Sequence, residues 1–120
     1  MIFTNIIHIV NLMVLRLLNN GIIIPDYFQL GKNPSIITMV EYFGWGIFLG
    51  LAFLFSSIGI EKDKILKPLK IILFICSMLC FIGFFGSIIN EHLWYIASLG
   101  YGIGTLVICI EMIVIDRKFK

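Results

Sequence analysis

The first apolar run of the chain carries seven polar side chains, six of them on one face, and later runs enclose two carboxylates and a pair of thiols. At 100° per residue, Thr4, Asn5, His8, Asn11, Arg16 and Asn19 fall within an arc of about 140° of a helix, opposite Ile, Val, Leu, Met and Phe. An ionisable group inside such a run is a candidate site whose partner needs naming, because an unpaired charge removed from water is expensive. Arg16 and Glu41 are the first candidate pair. Counted at 1.5 Å per residue from the helix ends beside the intervening loop, their depths differ by about 4–5 Å, within reach of an arginine. In the competing arrangement both groups extend to a nearby polar interface. His8 and Glu111 are the second candidate, a polar relay if imidazole and carboxylate meet in a protected path. Glu111 precedes Asp116 by five residues, so reaching the interface is its plainer role.

Cys76 and Cys80 are four apart and share one helix face. A metal site needs further thiolate or imidazole ligands at the same level, and their run holds no histidine. They read as small buried residues. The chain shows no glycine-rich phosphate loop, no His-Glu-x-x-His and no serine in a nucleophile elbow. Gly100-x-Gly-x-Gly lacks the preceding strand and the spacing of a dinucleotide site. The expectation is no metal, no cofactor and a non-enzymatic role.

The elements that must position these groups follow from composition. Of 120 residues, 60% are hydrophobic and 13% charged, with a mean hydropathy of +1.06. Soluble domains carry about 25% charged residues, and a short chain leaves much of its surface outside any core. The excess apolar surface therefore has to face lipid. Four runs approach the roughly 20 residues that cross a bilayer: about 2–24, 36–60, 65–89 and 93–115. They are too long and continuous for barrel strands, and a backbone in hydrocarbon must satisfy its own hydrogen bonds. The expected fold is an all-α integral membrane bundle of four transmembrane helices in a single domain. The first is the least regular. It either spans with its polar stripe turned inward or lies flat in the interface, and its single arginine favours spanning.

Connections and orientation follow. Residues 25–35 hold Pro25, Gly31 and Pro34, which open turns, and Ser35 is placed to cap the second helix. Glu61-Lys62-Asp63-Lys64 is a charged turn with Lys67 and Lys70 beyond it, and Asn90-Glu91-His92 is a tight one. Arg117, Lys118 and Lys120 follow the last helix. These basic groups fall on one side, the cytoplasmic one, giving an N-in/C-in topology. Tyr27, Phe28, Tyr42, Trp45, Trp94 and Tyr95 gather at the other side as an interfacial belt. No cleavable signal pattern opens the chain. Three cysteines within apolar runs argue against a disulfide framework. The abundance of isoleucine, lysine and asparagine points to a bacterial source, hence a multi-pass protein of the inner membrane. A net charge of +2 gives no reason for nucleic acid; the basic residues have the anionic inner leaflet as their partner.

Gly46 and Gly50, and Gly100 and Gly104, have the four-residue spacing that brings helix backbones close in lipid, and Gly83 and Gly86 with Ser87 place small residues on the third helix. Contacts within the chain, with a second copy or with another membrane protein all fit. Gly44-Trp45-Gly46-Ile47 matches Gly100-Tyr101-Gly102-Ile103 at a separation of 56 residues, either a duplicated hairpin or a coincidence of glycine-rich sequence.

Asn33-Pro34-Ser35, then Glu41-Tyr42-Phe43-Gly44-Trp45-Gly46, Gly50-Leu51-Ala52-Phe53-Leu54-Phe55 and Leu99-Gly100-Tyr101-Gly102 before Arg117-Lys118, resemble part of an uncharacterised group of bacterial multi-spanning membrane proteins. The resemblance covers about residues 33–120 and implies similarity to the C-terminal half of longer proteins. It brings no activity with it. The expected role is a structural or interaction bundle; the alternative is a small dimeric transporter that uses an intramembrane carboxylate, Glu41. As an integral protein, the chain is expected to stay with the membrane pellet through a high-pH carbonate wash. A monodisperse species in plain buffer is the outcome that overturns the reading.

Overall fold

The fold comes from a computed structural model that describes residues 2–30, 32, 35–60 and 64–119, with Phe3 and Thr4 described in backbone alone. The turn readings at Gly31, Asn33 and Pro34, the charged turn Glu61-Lys62-Asp63, Lys120, and the place of Thr4 in the polar stripe lie outside the described residues.

All regular structure among the described residues is helical. Helix α1 is Ile2–Asn19; α2 is Ile36–Gly59, α3 is Lys67–Ile89 and α4 is Glu91–Phe119. The last three are long and apolar enough to cross a membrane, at 24, 23 and 29 residues. Helix α1 is shorter, and its apolar run Asn5–Asn19 falls below that length. It ends five residues before the expected boundary because Gly21 takes a left-handed φ of 78°. Gly21 N–H then donates to the Leu18 carbonyl at 3.0 Å and Ile22 N–H to Leu17 at 3.1 Å, a Schellman closure that stops the helix. At the other end of the chain α4 runs on past Ile115 to Phe119. Arg117 and Lys118 in its last turn complement the negative end of the helix dipole.

The chain divides into two compact units, Met1–Trp45 and Gly46–Lys120. In the first, the connection after α1 folds upon itself. The Gln29 amide donates to the Ile24 carbonyl at 2.7 Å and to Asp26 Oδ1 at 3.1 Å. Ser35 is buried, accepts from Thr38 N–H at 3.3 Å as the N-cap of α2, and donates to the Tyr27 carbonyl at 3.4 Å. Along α1, Ile7, Asn11, Val14 and Leu18 are the half-buried positions, a 4-3-4 stripe on one face. That face is centred about 100° from the middle of the polar arc. The polar arc therefore lies on the flank of the helix, with only Asn11 shared between the two.

In the second unit small residues make the closest helix contacts, Leu73, Phe84, Ile108 and Ile115 are buried with them, and many other large apolar side chains face outward. Cys80, Ser77 and Ala97 are completely buried, whereas Ile82, Phe85, Ile103 and Leu106 are each more than half exposed. Helix α3 meets α2 on one side and α4 on the other. A Cβ on Gly50 would lie 2.9 Å from the Phe81 ring and 3.3 Å from Cys80 Cβ. One on Gly83 would overlap the backbone of Ala97, one on Gly86 would come 2.9 Å from Leu93, and one on Gly100 would come 2.9 Å from the Cys76 carbonyl. Gly46 lies against Phe84, and Gly104 against Cys76 Sγ. These approaches pair α3 with α4 in an antiparallel register and bring their backbones together, as small residues allow. Near the turn, the Ser57 hydroxyl donates to the Lys70 carbonyl at 3.0 Å, and Lys70 Nζ donates to the Ile60 carbonyl at 3.1 Å. A lysine is electrostatically unfavourable in the first turn of its own helix; here it caps the C-terminal end of the preceding one.

Overpacking costs typically about 1–3 kcal/mol, and Gly83 faces backbone that has little room to move. Gly83→Val is expected to lower the thermal midpoint in detergent by at least that equivalent. Gly102→Ala, at a position with nothing within 4 Å, is expected to leave it unchanged or raise it. Equal behaviour of the two variants would refute the packing described.

Candidate functional site

Helix α1 turns His8 toward α2 in the first unit, where Nε2 lies 3.5 Å from Glu41 Oε1. The imidazole is 49% exposed and the carboxylate 18%, so Glu41 is the enclosed partner and His8 the accessible one. With the imidazole protonated the two form an ion pair, and transfer of that proton to the carboxylate leaves both groups neutral. A single proton thus has two adjacent holders.

The sequence offered other partners for both groups. Among the described residues the carboxylate within salt-bridge distance of His8 is Glu41, and Arg16 is exposed about 12 Å further along α1. Depth counting from helix ends assumes that those ends are level. In an antiparallel pair, contact between His8 and Glu41 offsets the end of α1 from the start of α2 by about 9 Å. The folded connection between residues 20 and 35 leaves room for that offset. Glu111 belongs to the other unit, half-buried on α4. Cys76 and Cys80 are free and buried, and Cys109 is free and exposed. Among the described residues no three His, Cys, Asp or Glu side chains converge as a metal group.

A feature that sequence reasoning missed lies one turn beyond Glu41. Gly44–Phe48 forms a π turn within α2, and Leu99–Ile103 forms another within α4. Such wide turns insert one residue, shift the faces of the helix that follows, and recur at functional sites. The matched Gly-aromatic-Gly-Ile segments fall on both turns, so the repeat was the available signal. Periodicity alone reads through it. The two glycine pairs serve different ends, since Gly46 packs on Phe84 while its repeat partner Gly102 is open. In α4 the Thr105 hydroxyl donates to the Tyr101 carbonyl inside the disturbed ladder, and Trp94 stacks on Tyr101 at 5.8 Å.

Together these features define an all-helical chain with three helices long and apolar enough to cross a membrane, and an ionisable pair beside the first of them. Comparison with protein-family models, curated proteins and solved structures found no match, so no known activity transfers to the pair.

Interhelical polar contacts in membranes average about 0.6 kcal/mol in double-mutant cycles. His8→Ala and Glu41→Gln are expected to show a coupling of that order in detergent unfolding. Arg16→Gln combined with Glu41→Gln is expected to be additive; the opposite pattern would restore arginine as the partner.

Proposed function

We propose that the chain is a multi-pass bundle of four membrane-spanning helices, N-in/C-in, in a bacterial inner membrane, and that it acts through contact with other membrane chains and not by covalent catalysis. The observation that carries this reading is the packing of the second unit, where glycine, alanine, serine and cysteine make the closest helix contacts beside a few buried large residues (Leu73, Phe84, Ile108, Ile115), while many isoleucines and phenylalanines face outward. Such packing suits hydrocarbon, where close approach of backbones replaces the hydrophobic effect. The 4-3-4 stripe on α1 supports lengthwise packing over an interfacial position, and at 18 residues α1 extends about 27 Å. Lys64, Lys67, Arg117 and Lys118 support a cytoplasmic C-terminus. On the outer face of α4, Gly102 is open, and Cys109, seven residues on, is exposed on the same face. A second copy or a partner helix has its closest approach there.

The His8–Glu41 contact favours a second reading, a small dimeric transporter coupled to protons. A carboxylate enclosed between two helices and shared with an imidazole is a plausible carrier site, and the π turn beside it offers a hinge. Its distance from the middle of α2 weighs against this, because transporter sites lie near the midplane.

Compartment-specific reporters fused to each terminus are expected to report the same side; opposite sides would leave three spans and a peripheral α1. Thiol-directed crosslinking through Cys109 in native membranes is expected to give a discrete higher species, with Gly102→Leu abolishing it. A chain that stays monomeric and captures nothing would remove the interaction reading. Proton flux in vesicles that is present in the wild type and lost in Glu41→Gln would favour the transporter instead.

A further inference from the structure

Helices α3 and α4 leave a cleft between them that opens outward beside the π turn of α4. Its volume is about 290 Å³, and it runs from Ile72 to Leu79 on α3 and from Leu99 to Val107 on α4. Gly104 forms part of its floor against Cys76 Sγ, while Ile75, Leu99 and Ile103 are at least half exposed along its mouth. Every lining side chain is apolar. A polar or charged ligand would lose its hydration there with nothing in exchange.

We propose that this cleft holds one acyl chain of an anionic phospholipid from the cytoplasmic leaflet. The inference rests on α3 and α4 crossing the bilayer, which the carbonate wash tests separately, with their basic ends toward the cytoplasm, which the C-terminal reporter tests. Shape and lining favour an acyl chain: the cleft is an open groove between two helices with an entirely apolar lining, and a polymethylene chain can lie along it with no polar group to satisfy. Register decides the leaflet. The contacts of Gly83 with Ala97 and of Gly104 with Cys76 set α3 and α4 antiparallel, with Lys67 level with Ile113. The cleft begins about 7.5 Å from that level and ends about 18 Å from it, so it runs beside the deeper half of an inner-leaflet chain and reaches just past the middle of a core about 30 Å thick.

Charge decides the headgroup. Lys64 and Lys67 lie at the start of α3, and Arg117 and Lys118 in the last turn of α4. Glu111, below the cleft on the same face of α4 as Val107 and Lys118, and Asp116 are the acidic groups of this region. Among the described residues these four basic groups outnumber the two acidic ones near headgroup level, and each lysine or arginine near the surface favours an anionic lipid.

The test uses the full chain reconstituted in phosphatidylcholine vesicles, with a trace of phosphatidylglycerol or phosphatidylcholine spin-labelled near the chain end. The wild type is expected to immobilise the phosphatidylglycerol label about fivefold more than the phosphatidylcholine label, the factor for roughly one basic residue. Ile103→Trp and, independently, Ile75→Trp fill the mouth and are expected to abolish the selective component. Leu106→Trp, on another face of α4, is expected to retain it. Lys64→Gln with Lys118→Gln is expected to equalise the two lipids while leaving an immobilised chain. Equal immobilisation by the wild type, or selectivity that survives both tryptophans in the mouth, overturns the proposal. So does loss in Leu106→Trp as well, since that would place the effect outside the cleft.

Discussion

Backbone contact between α3 and α4 is the constraint on which the second unit depends. Gly83 lies directly against the backbone of Ala97, so any side chain at that position would force the helices apart. The same closeness sets the depth of Cys76, Ser77 and Cys80, and with few large side chains buried between the helices (Leu73, Phe84, Ile108 and Ile115) many others face outward. In water that arrangement would expose most of the hydrophobic surface. In hydrocarbon it is the economical one, because dispersion between closely packed helices is what remains to hold them together. The Ser57–Lys70–Ile60 clamp adds a polar fastening at the one end of the α2–α3 hairpin where carbonyls would otherwise be left open.

The first unit is organised by a different interaction. Helix α1 packs through a mostly apolar stripe, and its polar arc lies to one side, where His8 meets Glu41. Asn11 belongs to both faces and is the one polar residue of the stripe. A carboxylate that is mostly enclosed and an imidazole that is half open make an asymmetric pair, with access from the histidine side. This asymmetry is what a proton-handling site and a merely structural contact would both display, and it is the partners in the membrane that separate them.

The two π turns connect sequence with shape at one further point. Each falls on a Gly-aromatic-Gly-Ile segment, yet the residues they present differ: in α2 the segment delivers Gly46 to Phe84, and in α4 it delivers Gly100 to Cys76 while Gly102 faces outward. An inserted residue rotates everything that follows it by about 100°. Similar local sequence therefore serves two different contacts.

Much of this was legible in the residues themselves. Apolar runs of span length, the Ser35 cap, the tight turn after Asn90 and the all-helical class follow from hydropathy, capping and turn chemistry, which act over a few neighbouring residues. The stop at Gly21 was missed, because the apolar Ile22-Ile23-Ile24 carries the run past it and hydropathy does not register a left-handed glycine. The partner of Glu41 was not legible. Depth counting depends on the offset between two helix ends, and that offset is set by the connection between them, which hydropathy does not describe. Nor were the π turns, since an inserted residue changes rotation without changing composition. Sequence by itself determined which segments are helical and which side chains lipid can solvate, because those are local matters of hydrogen bonding and transfer. Tertiary structure alone decided which polar groups meet, because a contact between helices depends on register and rotation that no single segment encodes.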